Sequence, residues 1–333
     1  FGDRLWDAFR DPNYRALVGE PTQFFFSPDA SGSIVNAGNL RVTSGEALRL
    51  LGGTVLNTGT LSAAGGEVTV MAVSGGEVLR ITPEGALLSL EVAPLPRSLD
   101  LATVPFDPLT LPELLTDGQA YVPSVQVMPD GTVQLVGSGL TLPTESGDVV
   151  VSGRILTRRE TGQPEINIGG DRIALLNATL NASGADGGSI RIGGDYRGGE
   201  GLPSAQFTTI DAQTVMSANG ILPQSDGGRV IVWADDTTQF AGLINARGRG
   251  GEGGFIEISG RDNLLVVGSA DLRNPNGTLG TLLLDPENIR VVASGGGVND
   301  ALLPTISGDD NPNQDFTISE AALEAIAPTA DII

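Results

Sequence analysis

The chain has 333 residues, 40% of them hydrophobic and only 5% aromatic, with 47 glycines and no cysteine or histidine. Its 19 basic residues are all arginines, and against 40 acidic residues they leave a net charge of −21. Such a chain is repelled by phosphate, which excludes nucleic acid and anionic membranes as partners; lacking cysteine, it has no disulfide, thiolate catalyst or zinc–thiolate site.

No apolar run approaches the ~18 residues that span a bilayer, so membrane insertion is not expected. Both ends, "FGDRLWDAFRDPNYR" and "TADII", read as cuts in a longer protein, so the missing signal peptide carries no information about secretion.

Residues 1–28 read as a leading segment or cap. Leu5, Trp6, Phe9 and Tyr14 suit a short amphipathic helix or irregular segment, broken by Pro12 and closed by Pro21. "TQFFFS" (22–27) then reads as a buried strand. Residues 29–90 introduce a repeated idiom: strands of three to five residues ended by Gly, Asn or Ser-Gly, with Val55, Leu61, Val68 and Val70 as apolar beats. Within it "GGEVLRIT" (75–82) breaks phase, because Val78 shares a face with Arg80. Residues 91–130 form a proline-rich excursion whose leucines want burial; "DPLTLPELLTDG" (107–118) suits a helical turn or two, capped by Gly118.

The idiom returns over 131–300, interrupted by a loop at 196–211. A ruler is available in the glycine pairs, whose second members are Gly188, Gly228 and Gly254. After each pair the alternation is the same: Ile190 and Ile192, Val230 and Val232, Ile256 and Ile258 fall on one face of a strand. Their neighbours Ser189, Arg191, Glu257, Ile231 and Trp233 are then expected to face water. Residues 301–333 read as a further, truncated coil, with "TISEAALEAIA" (317–327) a helix candidate or a strand with a bulky turn.

A coil with one narrow apolar face cannot bury it alone; stacking successive coils does so. The expected fold is therefore all-β: a right-handed parallel β-helix (β-solenoid) with irregular loop excursions. At ~20 residues per coil the chain would hold roughly 13 to 15 coils, stacked to about 60–70 Å. The competing β-sandwich would need Asn-Gly or Asp-Gly hairpins between longer strands. Asn57, Asn177, Asn181 and Asn245 are candidates for inward corner asparagines bonded to the next coil, or else for left-handed turns.

Candidate chemistry is sparse. "WADD" sets Asp235 and Asp236 beside Trp233, a candidate sugar-stacking ring, and these three are the candidate ligand contacts. A polygalacturonase-like acid pair also needs downstream histidine and lysine, which the chain lacks; Arg229 and Arg247 are the candidate bases for a lyase. Asp171 and Asp195 follow glycine pairs, but the tight nine-residue period of calcium β-rolls is missing. "GRGGEGG" (248–254) lacks the lysine and helix of a phosphate cradle. No catalytic residue, metal site or cofactor is expected.

The phrases "VNAGNLRV", "LLGGTVLNTGTLSAAGGEVTVMAV", "GGSIRIGGDYRG", "DGGRVIVWADDTTQFAGLINARG", "GGFIEISGRDNL" and "GTLGTLLLDPENI" resemble filamentous-haemagglutinin-type exoproteins of two-partner secretion, in their large cyanobacterial form. The resemblance runs from about residue 20 to 292. It implies a secreted right-handed β-helix at the outer cell surface, acting as an adhesin, stalk or filament. It also implies export through a dedicated outer-membrane transporter. The alternative readings are a glycan-binding or glycan-cleaving β-helix, with surface glycans as partner, and a stalk that associates with itself into a fibre through open strand edges. The family's Asn-Pro-Asn-Gly secretion signature lies near the N-terminus; here it stands only at Asn274–Gly277, where it reads as a plain turn. Transporter recognition is thus expected in a part outside this chain.

Overall fold

The computed structural model describes residues 32–73, 147–199, 201–275 and 278–284, together with short strands elsewhere. The described chain winds into seven complete coils of three strands each, stacked into three parallel sheets. The first coil comprises Ser33–Asn36, Asn39–Arg41 and Ala47–Gly52. The seventh comprises Asn263–Val266, Ser269–Asp271 and Thr281–Leu284. Successive coils are in register: Ile190 pairs beside Ile166 and Val230, and Val230 beside Ile256. The fold is a parallel β-helix with loop excursions, and the hairpins a sandwich needs are absent from the described stack.

Why these residues form these strands follows from their alternation. In the third sheet Ile190, Ile192, Val230, Val232, Ile256 and Ile258 are all within 1% of complete burial. They meet Leu61, Ile155, Leu180 and Ile244 from the second sheet, and Val55, Val149, Ile173 and Leu264 from the first, in one continuous core. β-Branched residues suit this pleated column because like packs over like from coil to coil.

Coil length varies more than a period of ~20 residues allows. Stacked partners lie 21 residues apart at Asn36 and Asn57, and 24 at Asp148 and Arg172. They lie 36 apart where Ala178 meets Thr214. Loops between strands absorb the difference, and the described residues make seven coils.

Coils do not fill 29–90 or resume at 131. The second coil ends at Glu67–Ala72, and Val78–Ile81 pairs antiparallel with both Gln23–Phe25 and Leu88–Glu91. Val125–Val127 and Val133–Leu135 form an antiparallel hairpin, and the stack resumes at Asp148. Phe316–Ser319 is a strand parallel to Ile289–Val292 that overlaps the start of the segment read as a helix candidate or a strand with a bulky turn (317–327); the remainder of that segment, like the amphipathic segment at 1–20 and the turn at 107–118, lies outside the described residues.

The four asparagines divide. Asn57 points inward, fully buried, and its Oδ1 accepts from the Asn36 side-chain amide of the preceding coil at 2.7 Å. Asn177 instead occupies a left-handed turn at φ 53°, its backbone N–H donating to Asp211. Asn181 accepts from the Ser183 N–H at 3.0 Å, a local turn bond. Asn245 is 8% exposed in register with Ser217 and Asp271.

Outside the core, charge also pairs between coils. Arg172 donates to Asp148 at 2.6 Å, Arg49 to Glu67 at 2.8 Å, and Arg191 to Glu165. At the second sheet Arg247 and Arg273 both hold Asp271: Arg247 pairs with it through Nη2 and donates through Nε at 2.8 Å, and Arg273 donates through Nη2 at 2.6 Å. Burial alone pushes the Asp271 carboxyl up, but hydrogen bonds from the two arginines outweigh it and hold the pKa at about 2. A carboxyl depressed on folding contributes stability above its unfolded value, 3.8, and that contribution is lost as pH falls through about 2. Urea unfolding of the wild type should therefore weaken between pH 4 and pH 2 by more than that of Asp271→Asn. Equal acid slopes for the two proteins would refute this role.

Candidate functional site

The glycine pairs stack at the corner where the second sheet turns into the third. A Cβ on Gly228 would lie 2.2 Å from the carbonyl oxygen of Gly188; on Gly254, 2.3 Å from that of Gly228; on Gly280, 2.2 Å from that of Gly254. Only glycine allows backbones to close this tightly. Because no side chain rises from the column, it floors an open groove of about 550 Å³ that runs along the stack across five coils, from Glu165 to Thr281.

Each glycine pair in the fourth, fifth and sixth coils is preceded by an acid: Asp186, Asp226 and Glu252. All three are exposed and line the groove. Asp226 Oδ1 accepts from the Glu252 backbone N–H at 2.7 Å, which fixes the spacing of these two coils. Unlike Asp148, Glu165 and Asp271, the three make no ion pair among the described residues. Arg229 and Phe255, side by side in the third sheet, form one wall. Tyr196 stands beside them, 41% exposed, with its ring edge-on to Phe255 at 5.8 Å. The Arg229 guanidinium lies 5.0 Å from the Tyr196 ring centre and 5.2 Å from that of Phe255, within cation–π range.

Tyr196 reaches this wall because the loop after the fourth coil, described over 193–199 and 201–206, crosses the outer face of the third sheet as a strap. Asp195 caps its single turn, Tyr196–Gly198, by accepting from the Tyr196 N–H, and also accepts from Arg191 at 3.0 Å. The strap overturns the expectation that Ile231, Trp233 and Glu257 face water: Ile231 and Glu257 are fully buried, and Trp233 is 6% exposed. Glu257 Oε1 accepts from the Arg197 N–H at 2.9 Å and from the Ser259 hydroxyl at 3.2 Å.

The sequence candidates therefore do not assemble into an open ligand site. The Trp233 ring lies under the strap so closely that a Cβ on Gly194 or Gly198 would fall 2.7 or 2.6 Å from it. Its indole N–H donates to Asp235 at 3.0 Å, Arg261 approaches the same carboxylate at 3.6 Å, and Asp236 accepts from the Thr237 hydroxyl at 2.7 Å. Trp233, Asp235 and Asp236 hold a corner together, and Trp233 offers no stacking face. Arg229 belongs to the groove wall, whereas Arg247 pairs with Asp271. Asp171 lies exposed on another corner, where its carbonyl accepts from Gln206 and Phe207. Within the Asn-Pro-Asn-Gly segment, Asn274 Oδ1 accepts from the Gly250 N–H at 3.0 Å and its amide donates to Gly251, tying this turn to the preceding coil; residues 276 and 277 lie outside the described residues.

The acids before the glycine pairs carried a legible signal, the repeated Asp/Glu-Gly-Gly, which emerges only once the pairs are stacked. Tyr196 carried none, since it reaches Phe255 from a loop.

No family model matches the chain, and no curated protein matches it. Among solved structures it is similar to the crystal structure of the HMW1 secretion domain from Haemophilus influenzae, at 22% sequence identity and a TM-score of 0.42, with 79% of this chain and 69% of that chain covered.

Proposed function

We propose that this chain is part of a secreted, non-catalytic surface protein: a structural and adhesive β-helical rod or filament of the haemagglutinin type, exported by two-partner secretion. The observation that carries this reading is the unbroken interior column shared by seven coils and laced outside by coil-to-coil ion pairs. Such a stack propagates rigidity along one axis and spreads a broad surface along its length. The sequence phrases shared with haemagglutinin-type exoproteins support the same reading.

A second reading, a glycan-binding β-helix, is favoured by the groove, where exposed carboxylates run beside an aromatic wall. The first reading is tested by antibody against this chain on intact cells that make the parent protein, together with negative-stain electron microscopy of the released material. Labelling without permeabilisation and straight rods or fibres are expected. Labelling only after permeabilisation, or compact particles, would refute it.

A further inference from the structure

We propose that the glycine-floored groove binds an extended neutral β-linked glycan lying along the stack axis, with one sugar unit over each coil; the proposal rests on the glycan-binding reading. Three observations converge. The first is repeat length: parallel coils rise by ~4.8 Å, close to the length that one β-linked pyranose adds to an extended chain. Asp186, Asp226 and Glu252 then recur once per sugar, each at the same point of its coil.

The second is chemistry. At Asp148, Glu165 and Asp271 elsewhere on the stack, the carboxylate is neutralised by arginine from a neighbouring coil. The three groove acids have no such ion pair, so apart from the Asp226 Oδ1 that holds the Glu252 N–H their oxygens are left to accept from a ligand, and sugar hydroxyls are donors that form charge-assisted hydrogen bonds with carboxylates. The same acids, on a chain of net charge −21, repel sulfated or uronic polymers.

The third is shape. The stacked glycines raise no side chain between the acids, so a flat ligand can lie against backbone. At the wall, Phe255 and the 41% exposed Tyr196 offer apolar surface to the C–H face of a sugar, with Arg229 beside both rings.

The test uses the full chain and isothermal titration with neutral β-linked oligomers of glucose, N-acetylglucosamine, mannose and galactose, from dimer to octamer. At least one series should bind with affinity that climbs with each added sugar and levels off near five units, the number of coils lining the groove. Asp226→Asn combined with Glu252→Gln should weaken the longest oligomer about tenfold. The Asn side chain keeps the Oδ1 that accepts from the Glu252 N–H, so the fold is preserved. Phe255→Ala should weaken it comparably, and Asp262→Asn, exposed and outside the groove, should not. Binding that ignores oligomer length or the groove variants overturns this proposal while leaving the glycan-binding reading intact. No binding by any series overturns both, and tight binding of an oligo-arginine peptide in place of the sugars overturns it in favour of a cationic partner. None of these outcomes bears on the rod, which microscopy tests separately.

Discussion

Replacing Gly228 with valine is expected to abolish cooperative folding of the stack. A Cβ at this position would lie 2.2 Å from the Gly188 carbonyl oxygen, 2.5 Å from the Gly188 nitrogen and 2.6 Å from the Ala218 carbonyl oxygen. All three are backbone atoms, so no rotamer relieves the clash and two coils must move apart. Separating them breaks the ladder between the fourth and fifth coils, including the Arg229 N–H bond to the Gly188 carbonyl at 2.8 Å. Because each coil is stabilised chiefly by its neighbours, the break leaves two shorter stacks, each with a newly exposed end. The loss should exceed about 4 kcal/mol, beyond the range of ordinary substitutions. Gly32→Ala is the matched control: a Cβ there meets nothing within 4 Å, and the change should stay within about 0.5 kcal/mol. Chemical denaturation monitored by circular dichroism measures both. A Gly228→Val protein that unfolds at the wild-type midpoint would show that the glycine column is not tightly closed.

Ile256→Asp should be equally damaging for a different reason. Ile256 is fully buried between Val230 and Leu282 of the adjoining coils, inside the shared column. A carboxylate there has no partner and no water, a cost of several kcal/mol whether it stays charged or takes up a proton. Ile256→Val keeps the apolar character and should cost only about 0.5–1.5 kcal/mol. Leu48 marks the contrast: it holds the equivalent inward position in the first coil but is only partly buried. Leu48→Asp should therefore cost clearly less than Ile256→Asp in the same denaturation experiment. Equal losses at the two sites would contradict a core that deepens towards the middle of the stack.

What was legible in the sequence was the inward face. Alternation after each glycine pair placed Ile190, Val230 and Ile256 correctly because period two is a property of the strand itself. What lay outside its reach was the outward face. Ile231, Trp233 and Glu257 occupy outward positions, yet a strap contributed by another part of the chain buries them, and alternation cannot register a cover supplied from elsewhere. For the same reason Trp233 was a natural candidate for ligand stacking, while the pairing of exposed Tyr196 with half-buried Phe255 passed unnoticed. The even coil period failed because loops of different length are absorbed at corners without disturbing the column.

The central claim, that coils lie on one another in parallel register, is tested most directly by distances between spin labels. The chain has no cysteine, so pairs of labelled cysteines can be introduced cleanly. Asn39, Arg154 and Ser269 are exposed and belong to one outward row of the second sheet, in the first, third and seventh coils. At ~4.8 Å per coil, backbone separations should be roughly 10 Å for Asn39 to Arg154, 19 Å for Arg154 to Ser269, and 29 Å for Asn39 to Ser269. Pulsed and continuous-wave electron paramagnetic resonance should return distances that order this way and add along one line. A set of distances that fails to add, or an Asn39–Ser269 pair closer than Arg154–Ser269, would contradict the stack.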